Sequence, residues 1–133
     1  MAELNFHMNQ AVLLVGHGSK LRGSSDSINQ VAQALSAKEP AAFFQSAFLE
    51  ISSPSIPEGI ELCLKQGADQ VIVVPYFVQA GKHVVEDIPR FVSSAQAKHP
   101  DKKIRLADYL AFDERIVSVV IDRINEARRS AVR

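Results

Sequence analysis

At 133 residues the chain fits one domain with room for a buried core, and its 47% apolar content is ordinary for a globular protein. Fifteen basic residues balance fifteen acidic ones, so the formal net charge is zero with histidine neutral. That balance argues against a bulk binder of nucleic acid or other polyanions and leaves room only for a local basic patch.

The first ten residues carry Glu3 and no long apolar stretch, so they do not read as a signal peptide. No later run reaches the roughly 18 apolar residues of a membrane span. Ala11 to Val15 reads as a buried strand ending at Gly16. Ser24 to Ala37 reads as a helix, with Ile28, Val31, Ala32 and Leu35 at three-to-four spacing and Ser24 or Ser25 as its cap. Phe43 to Leu49 is the second strand. Ser55 to Gln66 is the second helix, with Ile56, Ile60, Cys63 and Leu64 inward and Gly67 at its stop. Cys63 reads as a small core residue. As the one cysteine it excludes an internal disulfide and a thiolate-built zinc or iron–sulfur site within one chain. A reducing compartment, the cytoplasm, is therefore expected.

Val71 to Val74, β-branched throughout, is the third strand. The next helix runs from near Val84 to Lys98, with Pro89 either in its first turn or at a kink. Ile104 to Ala107 is the fourth strand, and Phe112 to Arg128 the last helix, repeating through Ile116, Val119, Val120, Arg123 and Ile124. Alternating strands and helices with continuous apolar strands predict an α/β domain: a four-stranded parallel sheet covered on both faces. One domain is expected over residues 1–133, with its core at about 10–127.

Ligands of open parallel sheets bind beyond the carboxyl ends of the strands, where strand order reverses. His17 follows the first strand and Glu50 the second, while His83 lies in the loop beyond the third. Right-handed crossovers allow the strand order 2-1-3-4. With strands about 4.8 Å apart, His17 then stands between Glu50 and His83 on one rim. Two imidazoles and a carboxylate form a familiar ligand set for iron, cobalt, nickel or zinc. Imidazole also titrates near pH 6.5 and accepts protons at neutral pH. Singly, each residue has an ordinary reading: His17 and Glu50 as helix-entry residues, His83 as a surface histidine. The joint placement carries the functional reading. His7 and His99 read as inert. The small residues Gly16-His17-Gly18-Ser19 also suit an anion, but the Walker lysine and the G-x-G-x-x-G spacing are missing. Gly16 and Gly18 allow instead a tight turn and the close approach of a flat ligand.

Leu14-Val15-Gly16-His17-Gly18-Ser19 resembles the opening of the class II tetrapyrrole chelatases. The stretch from Val73 to Pro89, with Pro75-Tyr76-Phe77, Gly81-Lys82-His83 and Asp87-Ile88-Pro89, is similar to their second hallmark. Phe48-Leu49-Glu50 and Pro54-Ser55-Ile56 resemble their middle segment. The similarity spans about Gln10 to Ala127 and is closest to the short sirohydrochlorin chelatases. It implies a single flavodoxin-like domain that inserts Fe²⁺, Co²⁺ or Ni²⁺, as substrate, into sirohydrochlorin without ATP or a prosthetic group. The pathway is that of siroheme or cobalamin. It implies His17 and His83 as metal ligands and proton acceptors, with Glu50 assisting at the metal. The expected substrate-binding residues are Gly16, Gly18, Ser19, Lys20, Arg22, Tyr76, Phe77, Gly81 and Lys82; the basic ones, together with Arg90, answer the carboxylates of the ring. It further implies a homodimer, since longer relatives carry two such domains in one chain. Some plant relatives hold an iron–sulfur cluster on extra cysteines, which this sequence lacks. Ala107-Asp108-Tyr109-Leu110 departs from relatives that place His or Pro after the fourth strand, which puts a role for that loop in doubt. A non-catalytic metal or tetrapyrrole carrier and a phosphate-binding module are the alternatives from other classes.

Overall fold

A computed structural model describes residues 9–18 and 26–130, with Asp26 and His83 described by their backbone alone. Four strands form one parallel sheet: β1 (Gln10–Gly16), β2 (Phe43–Phe48), β3 (Gln70–Pro75) and β4 (Lys103–Leu106), in the order β2-β1-β3-β4. The order expected from right-handed crossovers is the one observed. Helix α1 (Asp26–Lys38) links β1 to β2, α2 (Ile56–Lys65) links β2 to β3, α3 (Ile88–Lys98) links β3 to β4, and α4 (Glu114–Arg129) follows β4.

β1 is central and paired on both sides, with Val15 opposite Ala47 of β2 and Pro75 of β3. All of Ala11 to Gly16 is buried, because each face of this strand meets a helix layer. Leu13, Val15, Val71, Val73 and Ile104 face α2 and α3, where they pack with Ile56, Ile60, Ile88 and Val92. Fully burying one such side chain is worth roughly 1.5–3 kcal/mol. Val12 and Leu14 point the other way, against Ile28 of α1 and Phe48.

α2 begins with a reciprocal cap. The Ser55 hydroxyl accepts from the Glu58 N–H at 3.3 Å, and the Glu58 carboxylate accepts from the Ser55 N–H at 2.9 Å. Gly59 sits in the middle of this helix, where a glycine costs about 1 kcal/mol relative to alanine. Its use is steric: a Cβ there would meet Leu13 Cδ1 at 2.8 Å and Ala47 Cβ at 2.9 Å. The helix therefore lies closer to β1 and β2 than any side chain would allow. His99, at the end of α3, hydrogen-bonds Glu61 of α2 at 2.7 Å, a structural role in keeping with the expectation that it takes no part in chemistry.

Two elements differ from the sequence expectation. Pro89 has no N–H to give, so the chain makes a π turn over His83–Asp87 and α3 proper starts at Ile88 with Pro89 in its first turn. α4 has the expected periodicity but no buried residue. The sheet is covered by helices on the α2/α3 face; on the other face α1 lies over β1 and β2, while Ile72 and Val74 of β3 stay half-buried and Arg105 of β4 exposed. The expected coverage of both faces thus stops short of β3 and β4 among the described residues.

Candidate functional site

The carboxyl ends of β1 and β2 bring His17 and Glu50 together. Gly16 pairs with Phe48 at the last rung of the ladder. Beyond it the two chains stay joined: the Leu49 N–H donates to the Gly16 carbonyl at 3.0 Å, and the Glu50 N–H to the His17 carbonyl at 3.1 Å. His17 Nε2 then lies 3.0 Å from Glu50 Oε1, with each side chain about half exposed. Gly18 adopts φ +94°, and a Cβ there would overlap the Glu50 carbonyl oxygen. Only glycine allows the two loops to approach this closely. Ile51, just after Glu50, is held at φ 68°. For a β-branched residue that left-handed conformation costs about 1–2 kcal/mol. The turn carrying Glu50 is therefore held in shape by its surroundings.

The third strand supplies a wall. Past Pro75 the chain runs through Phe77, Val78, Gln79, Ala80 and Gly81 to the π turn, and these residues with Val84 and His17 line an open cleft of about 480 Å³. The carbonyl of Gly81 accepts from the N–H groups of both Val84 and Val85 at 3.1 Å, which closes the loop onto the start of the turn. A half-exposed imidazole at one end of a largely apolar cleft suits a flat, mostly apolar ligand with a reactive polar centre.

Of the expected substrate residues, Phe77 and Gly81 line this cleft, and Gly16 and Gly18 shape the turn at its edge. Tyr76 packs against the cluster of Val12, Leu14, Ile28 and Phe48, because alternation along β3 turns it to the α1 side. Lys82 is exposed just before the π turn. Arg90 is bonded to Asp87 at 2.7 Å, which holds its guanidinium along α3. Ser19, Lys20 and Arg22, the caps Ser24 and Ser25, His7, and the side chain of His83 lie outside the described residues. Val78, Gln79 and Ala80 were not singled out by sequence, although the loop length between Pro75 and His83 was their signal.

Among the described residues no three His, Cys, Asp or Glu side chains gather as a metal cage. Cys63 is fully buried, and burial pushes its thiol up to about 12, so it stays a protonated core residue at neutral pH. A separate groove of about 550 Å³ between α2 and α3 is lined by Leu62, Phe91 and Ala95 with Glu61 and Lys98. It is larger than the His17 cleft but is served by no strand end. No helix among the described residues is long and apolar enough to cross a membrane.

Comparison with known proteins identifies relatives of the whole chain. The sirohydrochlorin cobaltochelatase of Saccharolobus solfataricus is 36% identical over 124 residues, which span 86% of this chain and 93% of that protein. The sirohydrochlorin ferrochelatase of Priestia megaterium is 31% identical over 116 residues, 87% of this chain and 44% of that protein. The crystal structure of the sirohydrochlorin chelatase SirB from Bacillus subtilis subspecies spizizenii in complex with cobalt superposes with a TM-score of 0.82 at 32% identity, over 90% of this chain and 51% of that one. The chain spans about half the length of the Priestia and Bacillus relatives it matches. A CbiX structure from Marinobacter aquaeolei superposes over 92% of this chain and 99% of its own, with a TM-score of 0.73. Residues 11–127, from the first buried strand to the end of the last helix's apolar stripe, match the CbiX family, and the chain belongs to it.

Proposed function

We propose that the protein is a sirohydrochlorin chelatase that inserts Fe²⁺ or Co²⁺ into the macrocycle, with the ion and the ring both as substrates. The observation that carries this reading is the 3.0 Å His17–Glu50 pair at the mouth of an apolar-walled cleft. Insertion breaks two pyrrole N–H bonds, forms bonds from the ring nitrogens to the ion, releases two protons and changes no oxidation state. The protein must therefore present a base and an exchangeable ligand beside a flat surface. His17 serves as both, its ring held by Glu50 in the way that carboxylates orient metal-binding histidines. His83, opening the π turn beyond the cleft, is the second ligand or base. The Phe77–Gly81 segment supports the ring face, and Ser19, Lys20, Arg22 and Lys82 answer its carboxylates. Nickel would fit the same ligand chemistry.

The domain acts as a cytoplasmic homodimer, a reading supported by its single buried thiol and by relatives that carry about twice its length. The test is anaerobic absorption spectroscopy of sirohydrochlorin with Co²⁺ or Fe²⁺, with and without the protein. Catalysed appearance of the metallated spectrum is expected. Ring or metal binding with no acceleration would overturn the enzyme reading in favour of a carrier.

A further inference from the structure

Ile51 is held in a conformation that its own side chain opposes. The Ser52 N–H donates to the Glu50 carbonyl at 2.7 Å, which closes a tight turn on Ile51 at φ 68°, the rare and strained form of γ-turn. The neighbours over-determine it. The Leu49 and Glu50 N–H groups are tied to Gly16 and His17, and the Phe48 N–H donates to the Pro54 carbonyl at 2.9 Å. The Glu50 carbonyl oxygen occupies the place of a Cβ on Gly18. A glycine at position 51 would meet the same bonds without strain. The isoleucine adds little to the core in return, being 60% exposed among the described residues. Strain kept without benefit to the fold is characteristic of binding and catalytic sites.

What the side chain serves follows from strand order. Ile51 follows β2, Val78 follows β3, and His17 stands on β1 between them. The outer two strands are two spacings apart, about 10 Å. The described cleft is walled on the β3 side, by Phe77 to Gly81, where Val78 is 56% exposed. On the β2 side of His17 the exposed apolar side chain of the rim is Ile51. It carries no donor, acceptor or charge, so it has only an apolar surface to offer a ligand.

We propose, on the chelatase reading above, that Ile51 contacts the tetrapyrrole ring on the β2 side of His17, so that the ring lies across the imidazole with an apolar contact at each side. The macrocycle has apolar faces and a charged periphery. Ile51 and Val78 answer a face, and His17 between them is left to reach the ring nitrogens. The strained turn fixes the isoleucine before the ring arrives, so binding does not have to order it. Lacking any ligand atom, Ile51 contributes to holding the ring and nothing to holding the ion.

Titration of metal-free sirohydrochlorin into the protein, followed by its visible absorption, tests this. Ile51→Gly should weaken ring binding at least ~10-fold, the lower end of what burying an isoleucine side chain is worth. Co²⁺ titrated alone should bind that variant as it binds the native chain. The variant's melting temperature should not fall, because glycine takes a positive φ freely. Ile51→Leu, which keeps an apolar side chain, should bind the ring as the native chain does. Unchanged ring affinity in Ile51→Gly would overturn the contact. Equal losses of ring and Co²⁺ binding would overturn it too, and would make Ile51 a brace for Glu50. A native chain that binds the ring without metallating it would overturn the enzyme reading alone, since the titration reads the contact without turnover. A native chain that binds no ring would overturn both.

Discussion

His17 owes its position to main-chain bonds rather than to its own packing. Removing its ring should therefore leave the fold intact and strip away the base: His17→Ala is expected to slow metal insertion by at least ~10²-fold, the low end of general-base contributions. Steady-state kinetics with Co²⁺, alongside a thermal melt, checks this, and near-native turnover would remove His17 from the mechanism. In the proposed reaction Glu50 acts through His17, with its oxygen 3.0 Å from the ring. Glu50→Gln keeps the volume and loses the charge, so a smaller effect is expected, chiefly a raised KM for the metal. Loss of turnover equal to that of His17→Ala would instead make Glu50 an acid–base group. Cys63 gives a prediction of pH dependence. Its folded pKa is raised from 9.0 to about 12, so above pH 9 the unfolded chain has lost a proton that the folded chain retains. Stability should thus fall as pH rises from about 9 toward 12, and Cys63→Ala should flatten that slope in denaturant titrations.

Secondary elements were legible wherever local chemistry alone decides them. The four strands and three of the four helices stand where periodicity puts them, and Ser55 and Gly67 flank α2 as punctuation should. Ser55→Ala is expected to lower stability by about 1 kcal/mol through loss of the cap, measurable as a shift in the urea midpoint at constant slope. What the sequence hid depends on distant neighbours. Gly59 looks like a flaw in a helix until Leu13 and Ala47 are found beneath it. Pro89 left open a first-turn position or a kink; it sits in the first turn of α3, and the π turn before it was not foreseen. Tyr76 shares a Pro-aromatic motif with Phe77, yet only the strand's alternation separates the residue in the core from the one in the cleft. The apolar stripe of α4 was readable, but its exposure among the described residues was not, because periodicity shows that a face is apolar and not what it meets. At the site, His17 beside Glu50 followed from strand order, whereas the closeness of their loops depends on Gly18 and its positive φ.

Across the molecule, the domain is built asymmetrically. One face of the sheet is sealed by two helices joined through Glu61 and His99, and the hydrogen bond from His99 holds the Glu61 carboxyl below its ordinary range. On the other face α1 lies over β1 and β2, while Ile72 and Val74 of β3 are half-buried among the described residues. Relatives about twice as long match this chain over half their length, while others match it nearly end to end, so the fold serves in both formats. If the proposed homodimer completes the cleft, turnover per chain should fall on dilution through the dimer's dissociation range. Assays of the native chain from micromolar to nanomolar concentration check this. Constant specific activity across that range would show that each domain works alone.

The central place of β1 has a consequence for how the molecule opens. A strand bonded on both sides and buried along its length exchanges its amide hydrogens only when the whole domain unfolds, whereas a helix without buried residues exchanges by local fraying. Deuterium uptake should accordingly form a gradient, slowest at Leu13 to Gly16 and fastest through α4. His17 stands at the slow end. Fraying of α4 should therefore leave the His17 imidazole and the Glu50 carboxylate in register.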